Sequence, residues 1–255
     1  MNKEEERLQQ RVLSIKSPEI MVNLNPNFFW HDPLGDQRRI TVEEFIHIFK
    51  LFNAFWQYKG EPNSERPHVK LTSGKCSNGF INCGKVLIYP HLRSIFSQQL
   101  VWLLREQCDE VIDWVISSDH AGASLVFGVS DALQVPGEFC EKGEGGKTQI
   151  WKRHQLPAGT KIFQVEELTT TVGTMEKVRA GIRAGNNEEV EFVPSGVLVN
   201  RTSPNISEFD GQPIISLITL DISNYEPDEC SYCQAGSEAV RPKGDAWQEL
   251  MATGR

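Results

Sequence analysis

The sequence predicts an α/β fold: a mostly parallel twisted sheet flanked by helices, preceded by an N-terminal helical extension. Three observations predict it. Past residue 67, strand-length apolar runs alternate with amphipathic helical segments, and that order needs crossover connections between parallel strands. Two of the runs, VIDWVIS at 111–117 and the stretch 160–166, read as buried strands. Before residue 60 two segments, 2–16 and 41–58, read as helices on either side of a loop. The boundary is placed in the turn-rich stretch 61–67, giving a helical extension and hood over 1–66 and an α/β domain over 67–255.

Taken in order, residues 2–16 predict a short, mostly polar helix, and 23–39, rich in Asn, Pro, Asp and Gly, a loop. Thr41 with Glu44 three residues later forms a capping box. Phe45, Ile48, Phe49, Phe52, Phe55 and Trp56 then recur at helical spacing, which predicts a helix to about Tyr58 stopped by Gly60. Its aromatic stripe is material for a core or for a homodimer face. Helices follow over 90–108, 121–133 and 172–184. Strands follow over 111–117, 137–142, 150–154, 160–166, 190–200 and 214–221, with 143–147, GEGGK, as a mobile loop. In such a sheet ligands sit beyond the carboxyl ends of the strands, where the strand order reverses.

A chain of 255 residues, 39% hydrophobic and 24% charged, has the composition of a globular protein able to bury a core without staples. No apolar run is long enough to span a membrane, and the charged start MNKEEERLQQRVL lacks a secretory apolar core. Six scattered cysteines suit a reducing cytoplasm. Cys230-x-x-Cys233 has the spacing of half a zinc site, but with no second pair near it in sequence a metal-free reading is preferred. The net charge of −8 argues against a nucleic-acid partner. Against that background, 142–161 carries Lys142, Lys147, Lys152, Arg153 and Lys161 with Glu144 as its one carboxylate, a local basic patch suited to a small anion.

The chemistry concentrates in GTKIFQVEELTTTVGTMEKV, 159–178. An apolar strand runs into Glu166 and Glu167, then a Thr- and Gly-containing turn opens a helix. Backbone N–H groups at a helix start, threonine hydroxyls and a close-approaching glycine make an anion site. Paired carboxylates accept from the vicinal hydroxyls of a sugar, and suit magnesium held through water. The simpler reading is a threonine-capped strand-to-helix turn. Two adjacent charges that both stay hydrated are harder to explain by capping.

This segment resembles the phosphoribosyl-diphosphate motif of type I phosphoribosyltransferases. LTSGKCSNGFIN (71–82), the run 128–167, GVLVNRTS (196–203) and 225–244 extend the likeness to the orotate branch of that family over about 68–244. The resemblance implies a small hood over the base and transfer of a phosphoribosyl group from phosphoribosyl diphosphate to a pyrimidine base, with magnesium, in a cytoplasmic homodimer. It implies a sugar and magnesium site at Glu166 and Glu167, and a phosphate loop at Thr170, Thr171, Val172, Gly173 and Thr174. A second anion loop falls over 117–122, with Ser118 and Asp119 binding substrate, Ser117 where the family often has glycine, and His120 as a bystander. The lid cation is Lys142, helped by Lys147, Lys152 or Arg153, and the base site is formed by Lys75, Phe80 and Arg201, with Ser73 in the hood. Val172 stands where the family has glycine, and a positive φ there would strain a β-branched residue. Two other readings stay open: a relative that binds a phosphoribosyl ligand without turnover, and a transferase for another base.

Overall fold

Thr41 starts the first long helix as its capping box requires: the Glu44 amide donates to Thr41 Oγ1 at 3.2 Å and the Thr41 amide to Glu44 Oε2 at 2.9 Å. In the computed structural model, which describes residues 3–23, 38–202 and 204–253, this helix is α3, Val42–Leu51, after α1 (Lys3–Ser14) and α2 (Pro18–Val22). Most of the loop expected at 23–39 lies outside the described residues. The helix ends seven residues before the sequence suggests. Asn53 turns the chain with φ 50°, and Phe55 and Trp56 enter strand β1 (Phe55–Gln57). Strand pairing outweighs the helical period here. The aromatic stripe is not a free dimer face either. Phe45, Ile48 and Phe49 are fully buried within the single chain, and the Phe45 and Phe49 rings pack on Phe96 at 5.4 and 5.8 Å.

Two short strands, β2 (His68–Lys70) and β3 (Cys76–Ser77), then β4 (Gly79–Ile81) and α4 (Gly84–Leu87), lead into α5 (Pro90–Gln107). The α/β alternation follows: β5 (Trp114–Ser117), α6 (Ala121–Leu133), β6 (Gly137–Phe139), the hairpin β7 (Glu141–Lys142) and β8 (Gln149–Ile150), β9 (Lys161–Thr169), α7 (Gly173–Gly185), β10 (Glu191–Phe192), β11 (Ser195–Asn200), β12 (Glu208–Phe209) and β13 (Gln212–Thr219). The chain closes with β14 (Asn224–Tyr225), α8 (Ser231–Gln234), β15 (Ala239–Val240) and α9 (Asp245–Thr253). The strand expected over 150–154 stops at Ile150, because Trp151 Nε1 donates to the His154 carbonyl at 2.8 Å and closes a turn.

The main sheet runs β12-β13-β11-β9-β5-β6, with β10 beside β9, and every pairing except β12 with β13 is parallel. From β5 the chain crosses through α6 to β6 on one side, then returns past β5 to lay β9, β11 and β13 on the other. Strand order therefore reverses between β5 and β9, and a crevice opens beyond their carboxyl ends. Alternation along β9 sends Phe163 and Val165 to the core shared with α5 and α6, and Ile162 to a second core with Val178 and Ile182 of α7. A separate small sheet, β14-β3-β2-β15, joins the 68–77 hairpin to the C-terminal segment as a hood.

Candidate functional site

Strand β9 runs three residues past Glu166, since β11 stays paired with it as far as Thr169 while β5 stops at Ser117. Glu166 and Glu167 thus sit on a strand whose β5 side has just become free. Being adjacent, they point to opposite faces of the sheet. Glu166 shares the α7 face with Gln164, and its carboxylate accepts from the Ser118 amide at 3.1 Å and the Ser118 hydroxyl at 2.6 Å. Glu167 lies toward Cys83, whose thiol is 3.5 Å from the Glu167 carbonyl. The two are not hydrated side by side as the sequence suggests. Glu166 is 3% exposed, and burial pushes both carboxyls up to about 7. Glu167 Oε2 is buried without a hydrogen-bond partner. A buried acceptor left open at the edge of a cleft is suited to a ligand donor.

That cleft, about 320 Å³, lies at the switch point and is walled by the Ser118–Gly122 turn, both carboxylates, Thr174 and Lys177 of α7, and the lid residues Lys142, Gly146 and Gln149. The turn after β5 is held in an uncommon backbone state, with His120 at φ 60° and ψ −110°. Its imidazole is 82% exposed with Nε2 3.7 Å from Asp119 Oδ2, and Asp119 also reaches the hairpin. Gln149 Nε2 donates to Asp119 Oδ1 at 2.9 Å, and Lys142 Nζ lies 3.5 Å from Asp119 Oδ2. The expected lid is a hairpin whose base packs on α7 at very close range. A Cβ on Gly181 would fall 2.3 Å from the Gln149 carbonyl oxygen, and one on Gly185 1.9 Å from that of Trp151.

The basic patch is largely committed elsewhere. Lys152 and Arg153 pair with Glu141 at 2.5 and 2.9 Å, and Lys161 pairs with Glu110. Lys147 is exposed and does not line the cleft. Lys142 remains, joined by Lys177, which sequence reading missed. Its signal was position: it lies four residues into α7, one turn from the helix start that the Thr/Gly segment opens. Gln149 gave no signal, since its role depends on the hairpin fold.

The turn 170–174 carries no strained residue. Val172 has φ −73° and ψ 0°, ordinary right-handed values, and packs beside Met175, Val197 and Ile214. The strain that a glycine-to-valine replacement would bring at positive φ is absent. Val172→Gly is therefore expected to lower thermal stability by about 1 kcal/mol. A melting curve checks it, and a gain in stability would contradict the geometry. Thr171 Oγ1 accepts weakly from the Gly173 amide at 3.4 Å, and Thr170, Thr171 and Thr174 are exposed at the helix start.

Arg201, at the end of β11, is buried rather than at the surface. Its Nη2 donates to Asn224 Oδ1 at 2.9 Å, its Nε is buried without a partner, and burial lowers its pKa. Lys75 is exposed and pairs with Glu226 at 2.7 Å, and Phe80 packs edge-on to Trp247 at 5.2 Å. Asn224 lies in β14, paired with β3, so Arg201 reaches the hood through one side chain.

The chain is 30% identical over 203 residues to an orotate phosphoribosyltransferase of Caldicellulosiruptor saccharolyticus, a match covering 80% of this chain and 97% of that relative. It belongs to the orotate phosphoribosyltransferase family. A second relative of that name, from Desulforamulus reducens, is 31% identical over 200 residues, covering 78% of this chain and 95% of its own. No family model matches the sequence. Among solved structures, the Leishmania donovani UMP synthase superposes with a TM-score of 0.50 at 18% identity, covering 61% of this chain and 33% of that chain, which is a likeness of fold. The fold is the type I phosphoribosyltransferase fold, and the family is a class of pentosyltransferases. Among the described residues, no helix is long and apolar enough to cross a membrane.

Proposed function

We propose that the cleft binds phosphoribosyl diphosphate and that the protein transfers its phosphoribosyl group to a pyrimidine base, orotate, giving orotidine monophosphate and diphosphate. One observation carries this reading: a buried and a half-buried carboxylate with one open acceptor, Glu167 Oε2, line a cleft beside the turn after β5 and the first residues of α7. The sugar hydroxyls donate to Glu166 and Glu167, the 5-phosphate sits on 170–174 at the start of α7, and the diphosphate on Ser118–Gly122 under Lys142. The open acceptor and the neighbouring carboxylate suit a hydrated magnesium ion, which supplies charge neutralisation to the leaving diphosphate when bound. Lys142, Lys177 and the closed lid favour the developing negative charge and keep water from the cationic sugar carbon. The reading carries with it a cytoplasmic homodimer.

Release of diphosphate from magnesium and phosphoribosyl diphosphate, followed across a panel of bases, tests this. Release with orotate alone supports it, and release with another base reassigns the substrate. A second reading, a family member that binds without turnover, is favoured by Asp119, whose carboxylate lies where the departing diphosphate would gather charge. Tight sugar-phosphate binding with no release for any base would select it.

The base's carboxylate is assigned to Arg201, whose unpartnered Nε and planar fork suit a bidentate anion. Arg201→Ala is expected to raise the KM for orotate about 10–100-fold with a much smaller change for phosphoribosyl diphosphate. Steady-state kinetics with each substrate varied check it, with Arg201→Lys separating charge from geometry. An unchanged orotate KM in both variants would remove the assignment.

A further inference from the structure

The Cys230-x-x-Cys233 pair does not stand alone in space. The 68–77 hairpin brings His68 and Cys76 to it, and the four candidate ligand atoms lie within 4.8 Å of one another. Cys76 Sγ is 3.6 Å from Cys233 Sγ, and His68 Nε2 is 3.4 Å from Cys233 Sγ and 3.8 Å from Cys230 Sγ. Bond lengths of about 2.3 Å to sulfur and about 2.0 Å to nitrogen in a tetrahedral zinc site require sulfur–sulfur edges of about 3.8 Å and nitrogen–sulfur edges of about 3.5 Å. These three edges match that frame to a few tenths of an ångström, and the other three are no longer than 4.8 Å, so the ligands close on an ion with a small inward shift. A disulfide does not fit, since all the cysteines are free and the sulfurs stand well beyond bonding distance.

The surroundings also set the histidine for the task. The Ser237 hydroxyl donates its one proton to the Arg66 carbonyl at 2.6 Å. Its oxygen, 2.8 Å from His68 Nδ1, must therefore accept from that nitrogen. The imidazole is held with its proton on Nδ1 and the Nε2 lone pair facing the three sulfurs, the arrangement a metal-bound histidine needs. On the other side, the Gln234 amide donates to the Cys230 carbonyl, and the single helical turn of α8 keeps both of its sulfurs on one side. His68, Cys76 and Cys230 are buried, and the site lies inside the hood, flanked by the β2–β15 and β3–β14 pairings. Three thiolate sulfurs and one imidazole are a soft, closed donor set of the structural zinc type.

We propose that His68, Cys76, Cys230 and Cys233 bind one zinc ion, which ties the 68–77 hairpin to the C-terminal segment and fixes the hood. The site is distinct from the carboxylate cleft and does not depend on the base transferred.

The test is metal analysis of the full chain, purified without chelator and dialysed against metal-free buffer. About one zinc per chain is expected for the parent and for Cys108→Ser, and about a tenth of that or less for Cys233→Ser. Because a ligand variant can fail to fold, the parent is also exchanged into cobalt(II). Intense visible bands of a tetrahedral thiolate site, with sulfur-to-cobalt bands in the near ultraviolet, are expected. Ser237→Ala should keep those bands but weaken zinc affinity about 10–100-fold in competition with a chromogenic chelator. A folded parent chain that carries no zinc and gives no thiolate bands with cobalt overturns the proposal. So does a Cys76–Cys233 disulfide found by mass spectrometry in anaerobically prepared protein.

Discussion

Lys142→Ala is expected to lower kcat for diphosphate release by about 10²–10³-fold, with a smaller effect on the KM for phosphoribosyl diphosphate. The size follows from how few cations reach the leaving-group side of the cleft. Lys152 and Arg153 are held by Glu141, and Lys147 is exposed and does not line the cleft, so none of the three can replace the missing charge without breaking a contact or rearranging the hairpin. Lys177 stays, but on α7, at the phosphate-loop end of the cleft. Lys142 itself is 3.5 Å from Asp119 and 49% exposed, a loose pairing that an arriving diphosphate can outbid. Lys142→Arg should recover part of the rate, and Lys147→Ala should stay within about threefold of the parent. Rapid-quench measurement of a single turnover separates chemistry from product release. A Lys142→Ala rate within twofold of the parent would show that the lid cation is not what stabilises the leaving group.

The difference between Lys142 and its neighbours shows what one sequence can carry. Local chemistry was legible: the capping box at Thr41, the strand-to-helix turn at 166–173, and the order of strands and helices that places this turn at a switch point. Partnership across distance was not. Five cations between 142 and 161 read as one patch, but Glu141 lies one residue outside that window and Glu110 lies in a different connection. The helix expected through Trp56 failed for the same reason, since the β4 partner of Phe55 and Trp56 is more than twenty residues away and no helical period reports it. His68 and Cys76 lie about 160 residues from Cys230 and Cys233, so the pair looked like half a site until the hairpin folded against it. Val172 shows the reverse error. The motif suggested a glycine torsion, but the turn reaches the helix through ordinary right-handed values.

Binding of phosphoribosyl diphosphate with magnesium is expected to release about one proton per chain near pH 7, and the ligand-free protein to lose stability as pH rises from about 5 to 8. Both follow from the placement of the two carboxyls. Burial raises Glu166 and Glu167 to about 7, far above an ordinary glutamate, and for Glu166 it outweighs the two bonds from Ser118 that favour the charged form. The sign is fixed by proton counting. Between the unfolded value near 4.5 and the folded value near 7 the native state holds protons that the unfolded chain has given up. Raising pH through this window therefore favours unfolding, and below it the penalty vanishes because both states are protonated. For Glu166 the full penalty above the window is roughly 3 kcal/mol, a shift of several degrees in Tm. Glu166→Gln should flatten the profile, raise Tm at pH 8 and weaken phosphoribosyl-diphosphate binding, since an amide cannot offer two charged acceptors to ligand hydroxyls or hydrated magnesium. Sugar hydroxyls and a hydrated cation both favour the ionised carboxylates, so binding must expel the protons that burial retains. Calorimetric titration in buffers of different ionisation heat counts them, and melting curves from pH 5 to 8 give the stability limb. Binding heats independent of buffer, together with a Tm that is flat over this range, would mean that both carboxyls are already ionised in the empty cleft. The open acceptor on Glu167 would then be hydrated rather than held dry for the sugar.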